Sequence, residues 1–203
     1  MTYILDTVRD LENFGRVRLS QNFFMRDFMH SEVSQVERIL NIPRKPDLAI
    51  QVGRQHCQTL LEPLQDTFGR IAIRSAFRSG AVNHTGSQKG HGCASNEKNR
   101  AGHIWDELDA EGYCRATACI VIPWFLDLYE NGEDWRAMAL WIHDHLDYSS
   151  LYFFPRLCAF NISWHECPVR VIPSFISSVG TLTRPSMANH AGSHVEWYRH
   201  WGR

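Results

Sequence analysis

The chain is poor in lysine. Lys45, Lys89 and Lys98 are its only lysines among 21 basic residues. Arginine supplies the rest, and arginine favours fixed bidentate contacts over diffuse positive charge. No sign of charge dominates, since the net charge is −1 with histidine neutral. That balance excludes a broad electrostatic surface for nucleic acid or anionic membrane. Long hydrophobic runs are also missing. The longest, Ala116 to Leu126, contains Pro123 and falls short of the roughly 20 apolar residues that span a bilayer. The opening Met1-Thr2-Tyr3-Ile4-Leu5-Asp6 has no basic stretch followed by an apolar one, so no secretory signal is visible. The six cysteines form no Cys-x-x-Cys pair and no dense framework, and reduced thiols are the expectation. These absences predict a soluble protein, cytoplasmic or exported by a non-classical or phage-type route, with no nucleic-acid and no membrane partner. Nothing in them speaks to oligomeric state.

What is present is an ordinary apolar fraction of 44% over 203 residues, enough for one domain with a real core. Eleven histidines are many, and they point to metal or acid–base chemistry. Residues 1–18 read as an irregular lead-in. Ser20 or Asn22 can cap a short helix burying Phe23, Phe24 and Phe28, and Ser31 can cap a second with Val33, Val36, Ile39 and Leu40 as its apolar positions. Asp47 opens the longest helix, to about Phe68, with Ile50, Val52, Cys57, Leu60, Leu61 and Leu64 at helical spacing. Ile71-Ala72-Ile73 is a short strand. Residues 79–102 are rich in Gly, Asn, Ser and His and read as a long functional loop. Residues 116–122 form a buried strand, and 124–129 and 134–145 form helices. Strands follow at 150–154, 157–164 and 169–172. A polar tail, 176–203, closes with a short helix over 195–201. Helices first and strands later favour an α+β fold over a regular βαβ alternation. A single domain is expected over 19–175.

Three segments carry a family resemblance. The first is Leu19-Ser20-Gln21-Asn22-Phe23, with Asp27-Phe28 and Ser31. The second is Leu61-Glu62-Pro63-Leu64, followed by Ile71-Ala72-Ile73-Arg74-Ser75-Ala76-Phe77-Arg78-Ser79 and Val82-Asn83. The third is a histidine-bearing segment around His103, a strand, and Trp164-His165. Together they resemble the zinc-dependent M15 group of D-Ala-D-Ala carboxypeptidase-like peptidases. The likeness implies a Hedgehog/DD-peptidase-like fold, with N-terminal helices packed on a small, mostly antiparallel sheet. It also implies a Zn2+ cofactor and an amide-hydrolysing activity on peptidoglycan peptides.

Carried over by position, the metal ligands would be His103, Asp109 and His165. Family spacing puts the carboxylate ligand seven residues after the first histidine, and residue 110 is Ala. Asp109 is one repair. Alignment of residues 115–121 with the family's strand is another, and it makes Cys119 the ligand, since a thiolate binds zinc well. Arg78 would grip substrate or the oxyanion, flanked by Ser79 and Asn83 as substrate-binding residues. The family's catalytic Glu precedes the Trp-His pair, and Ile162 stands there instead. Glu166 can replace it as general base if the strand ends at His165, and Asp106 is the other candidate. Three protein ligands would leave a position for a water made acidic by the metal.

Other signals are weaker. His143-Asp144-His145 looks like a ligand pair, but positions i and i+2 of a helix do not share a face. Asn83-His84 with His91 and Asn96 lacks the surroundings of a nuclease motif. His190, His194 and His200 read as solvated tail residues. Two functions follow. One is a zinc-dependent metallopeptidase-like hydrolase. The other is a catalytically degenerate binding or structural module of the same fold.

Overall fold

The computed structural model describes residues 4–176 and 180–202. The lead-in and tail expectations at 1–3, 177–179 and 203 lie outside them. The protein is α+β. It divides into two compact units: the stretch up to Gln58 with Ser75–Ala118, and Thr59–Arg74 with the stretch from Cys119 onward. The chain therefore crosses between units three times.

The first unit holds α1 (Val8–Gly15), α2 (Glu32–Glu37), α3 (Pro46–His56), α5 (Gly80–Gln88) and α6 (Asn96–Asn99). Helix α4 (Glu62–Phe68) belongs to the second. The lead-in is not irregular. Thr7 Oγ1 accepts from the Asp10 amide at 3.1 Å while Asp10 accepts from the Thr7 amide at 3.2 Å, a reciprocal cap that starts α1. Residues 20–28 yield only a 3-10 turn, Met25–Phe28, with Phe24 39% exposed. Ser31 caps α2 as expected, its Oγ accepting from Ser34 N at 3.3 Å. Yet Val36 and Leu40 lie in solvent, because α2 is short and breaks at Arg38, which takes a left-handed conformation. Pro46, not Asp47, opens α3, where its fixed φ and missing N–H are tolerated. A π turn, Cys57–Leu61, then joins α3 to α4.

The expected loop over 79–102 contains helix α5. Ser79 caps it, with Oγ accepting from Val82 N at 3.3 Å, and Val82, Asn83 and Gly86 are buried. Small polar residues can be helical when a cap and a buried stripe supply what propensity does not. Asn41 ties this start to the neighbouring loop. Its Nδ2 donates to the carbonyls of Met29 (2.9 Å) and Phe77 (3.0 Å), and its Oδ1 accepts from Ser79 N at 2.7 Å. Removing that side chain leaves buried backbone groups unpaired. Asn41→Ala should therefore destabilise the protein by about 1–3 kcal/mol in urea unfolding.

The second unit carries an antiparallel four-stranded sheet in the order β1-β2-β4-β3. Its strands are β1 (Ala72–Ser75), β2 (Arg115–Val121), β3 (Ser150–Phe153) and β4 (Phe160–His165). Ser75 and residues 115–118 of these strands are counted with the first unit. Strand β3 runs against β4 from Ser150↔Ser163 to Phe153↔Phe160. Helices α7 (Pro123–Glu130) and α8 (Trp135–His145) follow β2, the second capped by Asp134, which accepts from Arg136 N at 2.9 Å. The tail is more ordered than its composition suggests. It adds β6 (Thr181–Thr183), paired antiparallel with β5 (Ile172–Pro173). The closing helix is instead two 3-10 turns, Val195–Trp197 and Arg199–Trp201. Phe68 anchors that end, with rings of Trp124, Trp141 and Trp201 at 5.1, 4.6 and 5.9 Å.

Candidate functional site

The segment Ala101–Asp106 of the first unit is buried from end to end. Trp105 is its hub. The ring is fully buried, its Nε1 donates to the Thr117 carbonyl at 3.2 Å, and Phe28 and His56 lie at 5.3 and 5.9 Å. Two bonds then fix His103 against residues 76–78. Its Nδ1 lies 2.8 Å from the Ala76 carbonyl, and its own carbonyl accepts from Arg78 N at 2.8 Å. Only a protonated Nδ1 can donate to a carbonyl, so the remaining lone pair sits on Nε2. That nitrogen has no hydrogen-bond partner among the described residues. Burial, with the nearby charges of Arg78 and Arg115, pushes the His103 pKa down to about 3, so the ring is neutral at pH 7. A neutral imidazole with Nδ1–H on a carbonyl is the state in which histidine ligates a metal.

The partners that the resemblance supplies are differently placed. Asp106 is buried, and its Oδ2 accepts from Arg44 N at 2.6 Å and Lys45 N at 3.3 Å. Its Oδ1 is buried with no hydrogen-bond partner. Asp109 folds its own loop, with Oδ1 accepting from Glu111 N at 3.1 Å and Tyr113 N at 2.8 Å. Arg78 is half-buried and donates from Nη1 to Asn83 Oδ1 (3.4 Å) and Cys93 Sγ (3.2 Å). Ser79 and Asn83 are buried. Asn83 Nδ2 donates to the Ala94 carbonyl and to Asn96 Oδ1, at 3.1 and 2.8 Å, and so shapes the loop around Cys93.

In the second unit Cys119 lies in an apolar cluster with Val121 and Ala159, and Arg74 Nη1 is 4.0 Å from its sulfur. His165 is the last residue of β4, its Nδ1 2.8 Å from Cys167 N. The strand ends there, as a role for the exposed Glu166 requires. Among the described residues no group of three or more His, Cys, Asp or Glu is positioned to hold a metal ion.

The first unit does contain a cleft of about 650 Å³. Arg44, Lys45 and Arg100 line it together with Asp106, Glu107, Asp109 and Glu111. Sequence reasoning reached Asp106 and Asp109 but not the three cations. No periodic pattern marks them, because a bend at residues 44–45 and the C-terminal end of α6 at Arg100 deliver them from separate places. Among the described residues no helix is long and apolar enough to cross a membrane. No protein family, no curated protein and no solved structure matches the chain.

Proposed function

We propose that the chain is an M15-type, Hedgehog/DD-peptidase-like domain that binds peptides of the peptidoglycan class without cleaving them, in the cleft of the first unit. The cleft lining carries the reading. Three cations and four carboxylates in one concavity suit a ligand bearing both amino and carboxylate groups, as a short peptide with free termini does. Ion pairing of that kind fixes orientation more than it adds affinity. Among the carboxylates hydrolysis would use, Asp109 and Asp106 each accept backbone amides, Asp106 through one oxygen only, and a general base must be within reach of the proton it takes.

A second reading, the zinc-dependent metallopeptidase, is favoured by the state of His103. As a neutral ring with Nε2 unengaged by the described residues, it fits a Zn2+ ligand. Asp109 in its present hydrogen bonds does not. Asp109 or Cys119, and His165, would have to complete the set, with Arg78 gripping the substrate and Glu166 or Asp106 as base. Zinc would supply an acidified water there.

Titration of the protein with a synthetic muropeptide separates the two. Binding without amine release is expected, weakened about tenfold or more, roughly 1.4 kcal/mol, in an Arg44→Ala/Arg100→Ala variant. Failure to bind any muropeptide would sink the leading reading. Stoichiometric zinc that disappears in His103→Ala/His165→Ala, together with amine release, would establish the second.

A further inference from the structure

His194 lies in the C-terminal segment and is buried against α8. Both nitrogens of its ring face oxygen acceptors. Nδ1 is 2.7 Å from Asp144 Oδ1, and Nε2 is 3.0 Å from the Asn189 carbonyl. A neutral imidazole has a single N–H, so both contacts are hydrogen bonds only if both nitrogens are protonated. We propose that His194 is an imidazolium that clasps the loop 189–198 to the end of α8, and that loss of its proton opens the clasp.

Asp144 is the fixed half of the device. Besides the ring, it accepts from the His194 backbone N at 2.6 Å and from the Tyr198 hydroxyl at 2.8 Å. The ion pair is little exposed, with both side chains at 9%, so water screens it less than a surface pair. Other titratable and charged groups lie near it, among them Arg136 of α8, over the Trp197 ring at 4.8 Å, and Asp147, 3.9 Å from Arg170. On α8, His143 lies 5.5 Å from His194, ring to ring, and His145 lies 5.6 Å from Tyr198. The loop contributes His190, edge-on to His143 at 4.8 Å, and the adjacent turn contributes Glu196. Arg170 donates to the His143 and Leu146 carbonyls at 2.6 and 3.1 Å.

His143 does not compete for the charge. Its Nδ1 accepts from the Tyr148 hydroxyl at 2.7 Å and its Nε2–H donates to the His190 carbonyl at 2.8 Å, which is one neutral tautomer. Burial and the Arg170 charge hold its pKa below the usual value. For His194, burial opposes the charge, but Asp144, the Asn189 carbonyl and Glu196 together raise its pKa. For Asp144, burial opposes ionisation, and the bonds from His194 and Tyr198 bring its pKa below the usual carboxylate value.

The pH window follows from those directions. A raised histidine contributes fully below its unfolded pKa, and the contribution is lost as pH rises through the folded value. A depressed aspartate contributes above its unfolded pKa, and that is lost as pH falls through the folded value. The clasp is closed between these limits and opens on the alkaline side. There the bare Nε2 lone pair would face the Asn189 oxygen, and the loop must move.

Nitrogen NMR of the labelled full chain tests the protonation, and amide hydrogen exchange between pH 6 and 9 tests the opening. The expected result is a doubly protonated His194 at pH 7. Protection of residues 189–198 should fall about tenfold or more, relative to β3 and β4, as the ring titrates. His194→Gln should remove that pH dependence, and Asp144→Asn should lower the titration midpoint. A single ring N–H at pH 6–7 overturns the proposal, and so does titration without loss of protection. Both can be read in the unsubstituted protein if a variant fails to fold.

Discussion

Acidifying the protein from pH 7 to pH 4 should remove about 3 kcal/mol of stability through His103 alone. The folded ring resists protonation down to about pH 3, because it is buried and lies near Arg78 and Arg115. In the unfolded chain the same ring takes up a proton near the usual value of about 6.5. Between those two points the unfolded state binds more protons. Stability therefore rises with pH across the interval and is flat below it. His103→Gln keeps an amide that can reach the Ala76 carbonyl and cannot titrate. Urea unfolding of the two proteins at pH 7 and pH 4 should show wild type losing about 3 kcal/mol more than the variant. Equal losses would mean that the ring is hydrated or charged in the fold. An NMR titration gives a second check, since the His103 ring signals should not move between pH 5 and 8.

Trp105→Ala is the substitution expected to damage the fold most, by about 3–5 kcal/mol. The ring is fully buried among Phe28, His56 and Phe77. Gly53 comes so close that a Cβ there would lie 3.1 Å from the indole, so no larger residue on α3 would make room for it. Truncation leaves a cavity and removes the hydrogen bond from Trp105 Nε1 to the Thr117 carbonyl. Trp105→Phe should be milder, about 1–3 kcal/mol, because most of the ring volume stays while the hydrogen bond and part of the indole are lost. Chemical denaturation ranks the three proteins. A loss under 1 kcal/mol for the alanine variant would show that residues 101–106 hold themselves without the ring. His103 should report the same change locally, its ring becoming titratable above pH 5 once the segment loosens.

Much of the secondary structure was legible because it rests on short-range chemistry. Ser31 caps its helix from its own side chain, and the apolar spacing of α3 and the run of β2 show in the residues themselves. The errors fall where distant residues decide. Residues 80–88 are helical although their composition suits a loop, because Val82, Asn83 and Gly86 find a buried face. Val36 and Leu40 suit a buried face and have none. His190 and His194 read as solvated. His194 is instead buried beside Asp144, 50 positions away, and His190 is half-buried, its ring on His143 and its carbonyl accepting from that ring.

The candidate site divides the same way. The sequence singled out His103, Arg78, Asp106 and Asp109 through the family resemblance, and by itself it determined the α+β class, the Ser31 cap and the buried strand β2. Only the tertiary structure decided what those side chains do. It placed the proton of His103 on Nδ1, turned Asp106 and Asp109 toward backbone amides, and brought Arg44, Lys45 and Arg100 to one cleft. The reason is range: caps and periodicity act over three or four residues, whereas burial, ionisation state and hydrogen-bond partners depend on groups that meet only when the chain has folded.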